Sequence, residues 1–97
     1  MTTLTDSTEL TLVDTNVLVY AHDQGNPYHE TCRRLLLEAG SLCVVPQTIA
    51  EFFVIVTSPR RVTRPRSPQN AVAAIERVLQ NPALVLLPVP RISSPDF

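Results

Sequence analysis

Apolar residues along the chain fall into two alternating patterns. Three short runs, Leu10–Val13 (broken only by Thr11), Leu42–Val45 and Leu84–Leu87, are rich in Leu and Val. Continuous apolar runs of this length predict strands buried on both faces. Between them the apolar positions take helical spacing. Thr15 to about Ala21 predicts a short helix. A second helix is expected over 27–39, with Cys32, Leu35, Leu36 and Ala39 at i, i+3, i+4 and i+7. A third is expected to run to about Thr57, its apolar face made of Ile49, Phe52, Phe53 and Val56. A fourth is expected over 68–80, with Ala71, Ala74, Ile75 and Val78 on one side.

The punctuation agrees with this spacing. Asn26-Pro27 and Ser67-Pro68 each read as an N-cap followed by proline at the first helical position. Thr48-Ile49-Ala50-Glu51 has the form of a capping box. Gly40 suits the left-handed residue just past a helix end. Ser58-Pro59 and Asn81-Pro82 stop the third and fourth helices.

Strands alternating with helices predict an α/β fold, its parallel sheet covered on both faces and joined by right-handed crossovers. Three strands make a thin sheet, since about five to six is the usual number. On this pattern the chain reads as unfinished at its carboxyl end. It is expected to divide into a polar, disordered leader (1–9), one domain (10–90) and an irregular tail (91–97) with no periodicity.

Composition narrows the class. At 97 residues, 44% hydrophobic and 18% charged, the chain is expected to be one small globular domain rather than a disordered segment. A net charge of -1 gives no overall pull toward nucleic acid or membrane. The basic residues are all arginine, and Arg60, Arg61, Arg64 and Arg66 fall in one short segment. That segment reads either as a solvated loop or as a contact for RNA phosphates, which guanidinium groups match bidentately. Cys32 and Cys43 make no disulfide framework and imply free thiols in a reducing compartment. The start of the chain lacks the form of a signal or transit peptide, and no apolar run reaches membrane-spanning length. The expected location is the cytoplasm.

Two carboxylates are the candidates for chemistry. Asp14 closes the first apolar run, at the strand end where open α/β sheets bind ligands. Asp14 either caps the following helix or belongs to a site. Glu51 lies in the first expected turn of a helix starting at the same sheet edge. It too has two readings, capping-box residue or ligand. Converging oxygen donors of this kind suit Mg²⁺ or Mn²⁺. His22 and His29 are seven apart and match no zinc spacing, so a surface or structural role is expected of them. Gly25 and Gly40 are too far apart to form a phosphate-cradling loop.

The run Val13-Asp14-Thr15-Asn16-Val17-Leu18, followed by Tyr20, a polar loop and an Arg- and Leu-rich helix, resembles the opening of PIN domains. Pro46-Gln47-Thr48-Ile49-Ala50-Glu51-Phe52 resembles the family's second acidic motif. The likeness covers about Leu12 to Pro90 and is closest to the bacterial VapC-type ribonuclease toxins. It implies a three-layer α/β/α fold, of which about three strands are present here. It also implies a Mg²⁺- or Mn²⁺-dependent endoribonuclease that hydrolyses RNA phosphodiesters by in-line attack of an activated water. Asp14 and Glu51 would be the catalytic metal ligands, and Thr15 or Asn16 would help hold Asp14 or the water. An antitoxin protein and a second copy of the chain are the implied partners.

The likeness departs after the third strand. There the family carries further acids, whereas here Asp96, preceded by Pro95, is the one acid that follows Leu87. A truncated, catalytically inactive remnant that at most binds an antitoxin is therefore the alternative expectation. An aspartyl-nucleophile phosphatase is disfavoured, because Asn16 stands where such enzymes carry a second Asp.

Overall fold

A computed structural model of the chain describes residues 10–88. In chain order the elements are β1 (Thr11–Leu12), α1 (Thr15–Ala21), α2 (His29–Glu38), β2 (Leu42–Val44), α3 (Pro46–Val56), α4 (Pro68–Leu79) and β3 (Leu84–Leu86). The expected leader (1–9) and the whole of the expected tail (91–97), Asp96 included, lie outside the described residues.

The strands form a parallel sheet in the order β1-β2-β3. Thr11 pairs with Leu42 and Leu12 with Cys43, and β2 in turn sets Leu42, Cys43 and Val44 against Leu84, Val85 and Leu86. Pairing continues past β1, where the Val13 N–H donates to the Cys43 carbonyl at 2.9 Å.

The α/β class and parallel sheet are as expected, but cover on both faces is not what the described residues show. The strand order never reverses, so successive right-handed crossovers place every connecting helix on one face. Val13, Leu42, Val44 and Leu84 face those helices and join Leu18, Phe52, Val56, Ala71 and Ala74 in one core. Leu12, Cys43 and Val85 form the opposite row by register. Leu12 is 62% and Val85 47% exposed, so the row is bare on its two outer strands, while the central Cys43 is buried.

The helical faces predicted from spacing are the ones buried. Phe52 and Val56 bury fully from α3, with Ile49 and Phe53 packed beside them. Full burial of side chains of this size contributes about 1.5–3 kcal/mol each. Ala71 and Ala74, both buried, let α4 approach closely. Ser67 caps α4 as expected, its Oγ accepting from the Asn70 N–H at 3.1 Å.

Three local expectations are corrected. Helix α3 starts at Pro46, with Val45 as N-cap and no side-chain cap bond. Proline is pre-set for the first helical position and lacks an N–H to satisfy, so the helix begins ahead of Thr48. Thr48 is buried inside α3 rather than capping it, and no capping box forms. Helix α2 starts at His29, not Pro27. Asn26 instead makes an Asx turn, its Oδ1 accepting from the Tyr28 N–H at 2.7 Å. Gly40 is not left-handed, because α2 leaves through Ala39 in extended conformation. Cys32 and Cys43 are both buried and free. Among the described residues no helix is long and apolar enough to cross a membrane.

Candidate active site

Asp14 follows β1 directly and takes extended backbone (φ -94°, ψ 172°), which turns the chain from strand into helix. Its Oδ1 accepts from the Val17 N–H at 3.0 Å, so it caps α1. The side chain is exposed, and its second oxygen has no protein partner among the described residues. Capping occupies one oxygen and leaves the other open to a ligand.

Glu51 reaches the same edge from the second strand. Helix α3 begins two residues beyond β2, and Glu51 lies in its second turn. With the capping box gone, its carboxylate is engaged elsewhere. Thr15 Oγ1 donates to Glu51 Oε1 at 2.7 Å, and Gln47 Nε2, one turn earlier on α3, donates to Oε2 at 3.4 Å. Thr15 thus holds Glu51, a contact beyond the one the resemblance implied, in which Thr15 or Asn16 would help hold Asp14 or the water. The bond joins two residues 36 apart and fixes α3 against the β1–α1 junction.

Thr15, Asn16, Gln47, Glu51 and Arg61 line one open depression of about 550 Å³. Asp14 is not in its lining, but it directly precedes Thr15, which is. The arginine segment divides: Arg61 lines this depression, Arg64 and Arg66 line a second one, and the exposed Arg60 lines neither.

Sequence reasoning missed Gln47. Its position one helical turn before Glu51 was the available signal. It also passed over the second depression, which His22, His29 and Arg33 line together with Arg64 and Arg66. His22 Nδ1 bonds the Leu18 carbonyl at 2.8 Å, and its ring meets the Phe52 ring edge-on at 5.1 Å between centroids. Burial holds the His22 pKa below its usual value against the opposing effect of that carbonyl, and Arg66, Arg77 and His29 lower it further.

The donors at Asp14 and Glu51 are hard oxygens, one with a free lone-pair face and one braced by two neutral donors. They fit Mg²⁺ or Mn²⁺, which bind through one or two carboxylates, with waters and substrate phosphates completing the shell. No cluster of three His, Cys, Asp or Glu side chains that could cage a metal occurs among the described residues.

Comparison with known proteins bears on the same residues. The family model described as PIN domain matches residues 11–94. The chain is 38% identical over 79 residues to a protein named VapC ribonuclease Mb2897 from Mycobacterium bovis, and to Ribonuclease VapC43 from Mycobacterium tuberculosis. Each match covers 77% of this chain and 54% of the relative, so the chain spans about half the length of these relatives.

Proposed function

Because the chain belongs to the PIN domain family, we propose that it serves as a VapC-type endoribonuclease dependent on Mg²⁺ or Mn²⁺. The substrate is an RNA phosphodiester, the partners are an antitoxin protein and a second copy of the chain, and the work is done in the cytoplasm. The observation that carries this reading is the 2.7 Å bond from Thr15 Oγ1 to Glu51 Oε1, which ties the second carboxylate to the turn that holds Asp14.

Asp14 and Glu51 would hold the cation. Bound there, it would act as a Lewis acid toward the phosphodiester and lower the pKa of an attacking water. Thr15 and Gln47 orient Glu51, so that its carboxylate does not reorganise when charge develops. Arg61, in the same depression, presents a guanidinium to the non-bridging phosphate oxygens. Asn16, exposed beside Asp14, offers an amide to position water.

One observation favours a second reading. No group of three His, Cys, Asp or Glu side chains that could hold a metal occurs among the described residues, which suits a chain that binds an antitoxin without cutting RNA. Incubating the purified chain with end-labelled RNA, in Mg²⁺, Mn²⁺ or chelator, separates the two. Internal cleavage that chelator abolishes supports the enzyme. Intact RNA in both metals, with the chain shown to be folded, supports the binding-only reading.

A further inference from the structure

The two depressions follow one another along α1 and share α3 and the arginine segment. Thr15 and Asn16 line the first and Val19 and His22 the second, so the path runs along α1 from its amino to its carboxyl end. On α3 the first depression takes in Gln47, Glu51, Val54 and Ile55, and the second only the neighbouring Val56. The arginine segment spans both, with Arg61 in the first and Arg64 and Arg66 in the second. Seven helical residues separate the two ends of α1, about 10 Å.

The second depression, of about 820 Å³, carries three guanidiniums, from Arg33, Arg64 and Arg66, against the single carboxylate of Asp23. Arg33 is already engaged with Glu30 at 3.3 Å. Arg66 is fixed in place: its backbone N–H donates to the Val56 carbonyl at 2.7 Å and its Nη2 to the His22 carbonyl at 3.2 Å. A guanidinium has five N–H donors, so most of those on Arg66 stay available. Arg64 is exposed and pairs with no carboxylate among the described residues.

The imidazoles add acceptors. His22 Nδ1 faces the Leu18 carbonyl, and His29 Nδ1 faces the Tyr20 carbonyl at 3.0 Å. A carbonyl only accepts, so in both rings Nδ1 carries the proton. In the neutral ring the lone pair is therefore on Nε2. An acceptor beside guanidinium donors matches a hydroxyl beside an anion. Ribose next to its phosphate has that chemistry, and the 2′-hydroxyl can donate.

We propose that this second cleft is a subsite for a nucleotide flanking the cleaved bond of an RNA strand, with Arg64 and Arg66 holding its phosphate and the His29 imidazole accepting from its 2′-hydroxyl. The proposal rests on the ribonuclease reading for the strand's direction toward Asp14 and Glu51, but binding in the cleft needs neither metal nor cleavage. An acidic peptide is the competing occupant. It brings anions without a ribose hydroxyl beside them.

The test is fluorescence anisotropy of a labelled single-stranded RNA, and of the DNA of the same sequence, in chelator. Wild type is expected to bind the RNA several-fold tighter than the DNA. Arg64→Gln is expected to weaken RNA binding about tenfold and to lower the salt slope by about one, whereas Arg60→Gln, outside both depressions, changes little. His29→Asn keeps a donor for the Tyr20 carbonyl and loses Nε2, so it is expected to bring RNA affinity down to the DNA value. Circular dichroism checks that each variant is folded. For wild type, NMR of the His29 ring is expected to shift with RNA and not with DNA, whether or not a variant folds. Equal losses from Arg64→Gln and Arg60→Gln, an unmoved His29 signal, or competition by a Glu-rich peptide at the affinity of RNA would overturn the proposal. Arg64-dependent binding by a chain that cuts no RNA in metal would sink only the ribonuclease reading. Metal-dependent cleavage with RNA binding unchanged by Arg64→Gln would sink only the subsite.

Discussion

Thr15 Oγ1 and Glu51 Oε1 lie 2.7 Å apart, and this bond links the turn after β1 to the second turn of α3. It gives Thr15 a role distinct from helix capping, which Asp14 performs. Thr15→Val keeps the shape and removes the donor. A partner that orients a metal-binding carboxylate contributes about 10- to 100-fold to affinity or activity. Thr15→Val is therefore expected to lower metal-dependent cleavage by that order, with a melting temperature close to wild type. The bond is exposed, so its net contribution to stability is about 0.5–1.5 kcal/mol at most. A titration of cleavage against Mn²⁺ concentration reads the effect, and an unchanged curve would remove Thr15 from the site.

Asp14→Asn separates cap from chemistry. Asn caps helices as well as Asp does, so the acceptor for the Val17 N–H is kept. Stability is expected to change by no more than about 0.5 kcal/mol, as for ordinary surface substitutions. Urea unfolding measures this. A large loss would mean that the charge of Asp14, and not only its oxygen, holds the fold.

Phe52 is 1% exposed and closes the core between α3 and the sheet. Its ring also supports His22 edge-on. Phe52→Ala is expected to cost about 3–5 kcal/mol, enough to unfold most of a domain this small. Thermal unfolding followed by circular dichroism tests it, and a fall of a few degrees or less would contradict the packing described.

His22 makes stability depend on pH in a definite direction. Burial holds its folded-state pKa below the ordinary 6.5, with Arg66, Arg77 and His29 pressing the same way. Above that value the ring is neutral folded and unfolded, and it adds no pH dependence. As pH falls below it, the unfolded chain takes up a proton that the folded chain resists, so stability declines toward the lowered folded pKa. His22→Asn, which keeps a donor for the Leu18 carbonyl, is expected to flatten this decline. Melting temperatures of both proteins at pH 7 and pH 5 provide the check, and equal slopes would exclude His22 as the cause.

Much of this architecture is legible in local sequence. Phe52, Val56, Ala71 and Ala74 are buried where helical spacing puts them, because one apolar face per helix is enough to specify a packed layer. Ser67 caps α4 as its pairing with Pro68 implies. The two misplaced helix starts share one origin, competition between two valid local signals. Pro46 and Thr48 both mark a helix start, and the proline prevails because it comes first and needs no cap bond. Asn26-Pro27 satisfies a turn as well as it would a cap. The bare row of Leu12 and Val85 follows from strand order, a non-local property that no window of sequence carries. The Thr15–Glu51 bond and the grouping of His22 and His29 with Arg64 and Arg66 are tertiary for the same reason.

Whether Asp14 and Glu51 act together on RNA is read by comparing RNA cleavage by folded wild type, Asp14→Asn and Glu51→Gln in Mn²⁺ and in chelator. Gln at 51 keeps an acceptor for Thr15 Oγ1 and loses only the charge. Metal-dependent cleavage is expected from wild type and is expected to be lost in both variants, with melting temperatures unchanged. Cleavage that survives either neutralisation, or that persists in chelator, would contradict that joint action.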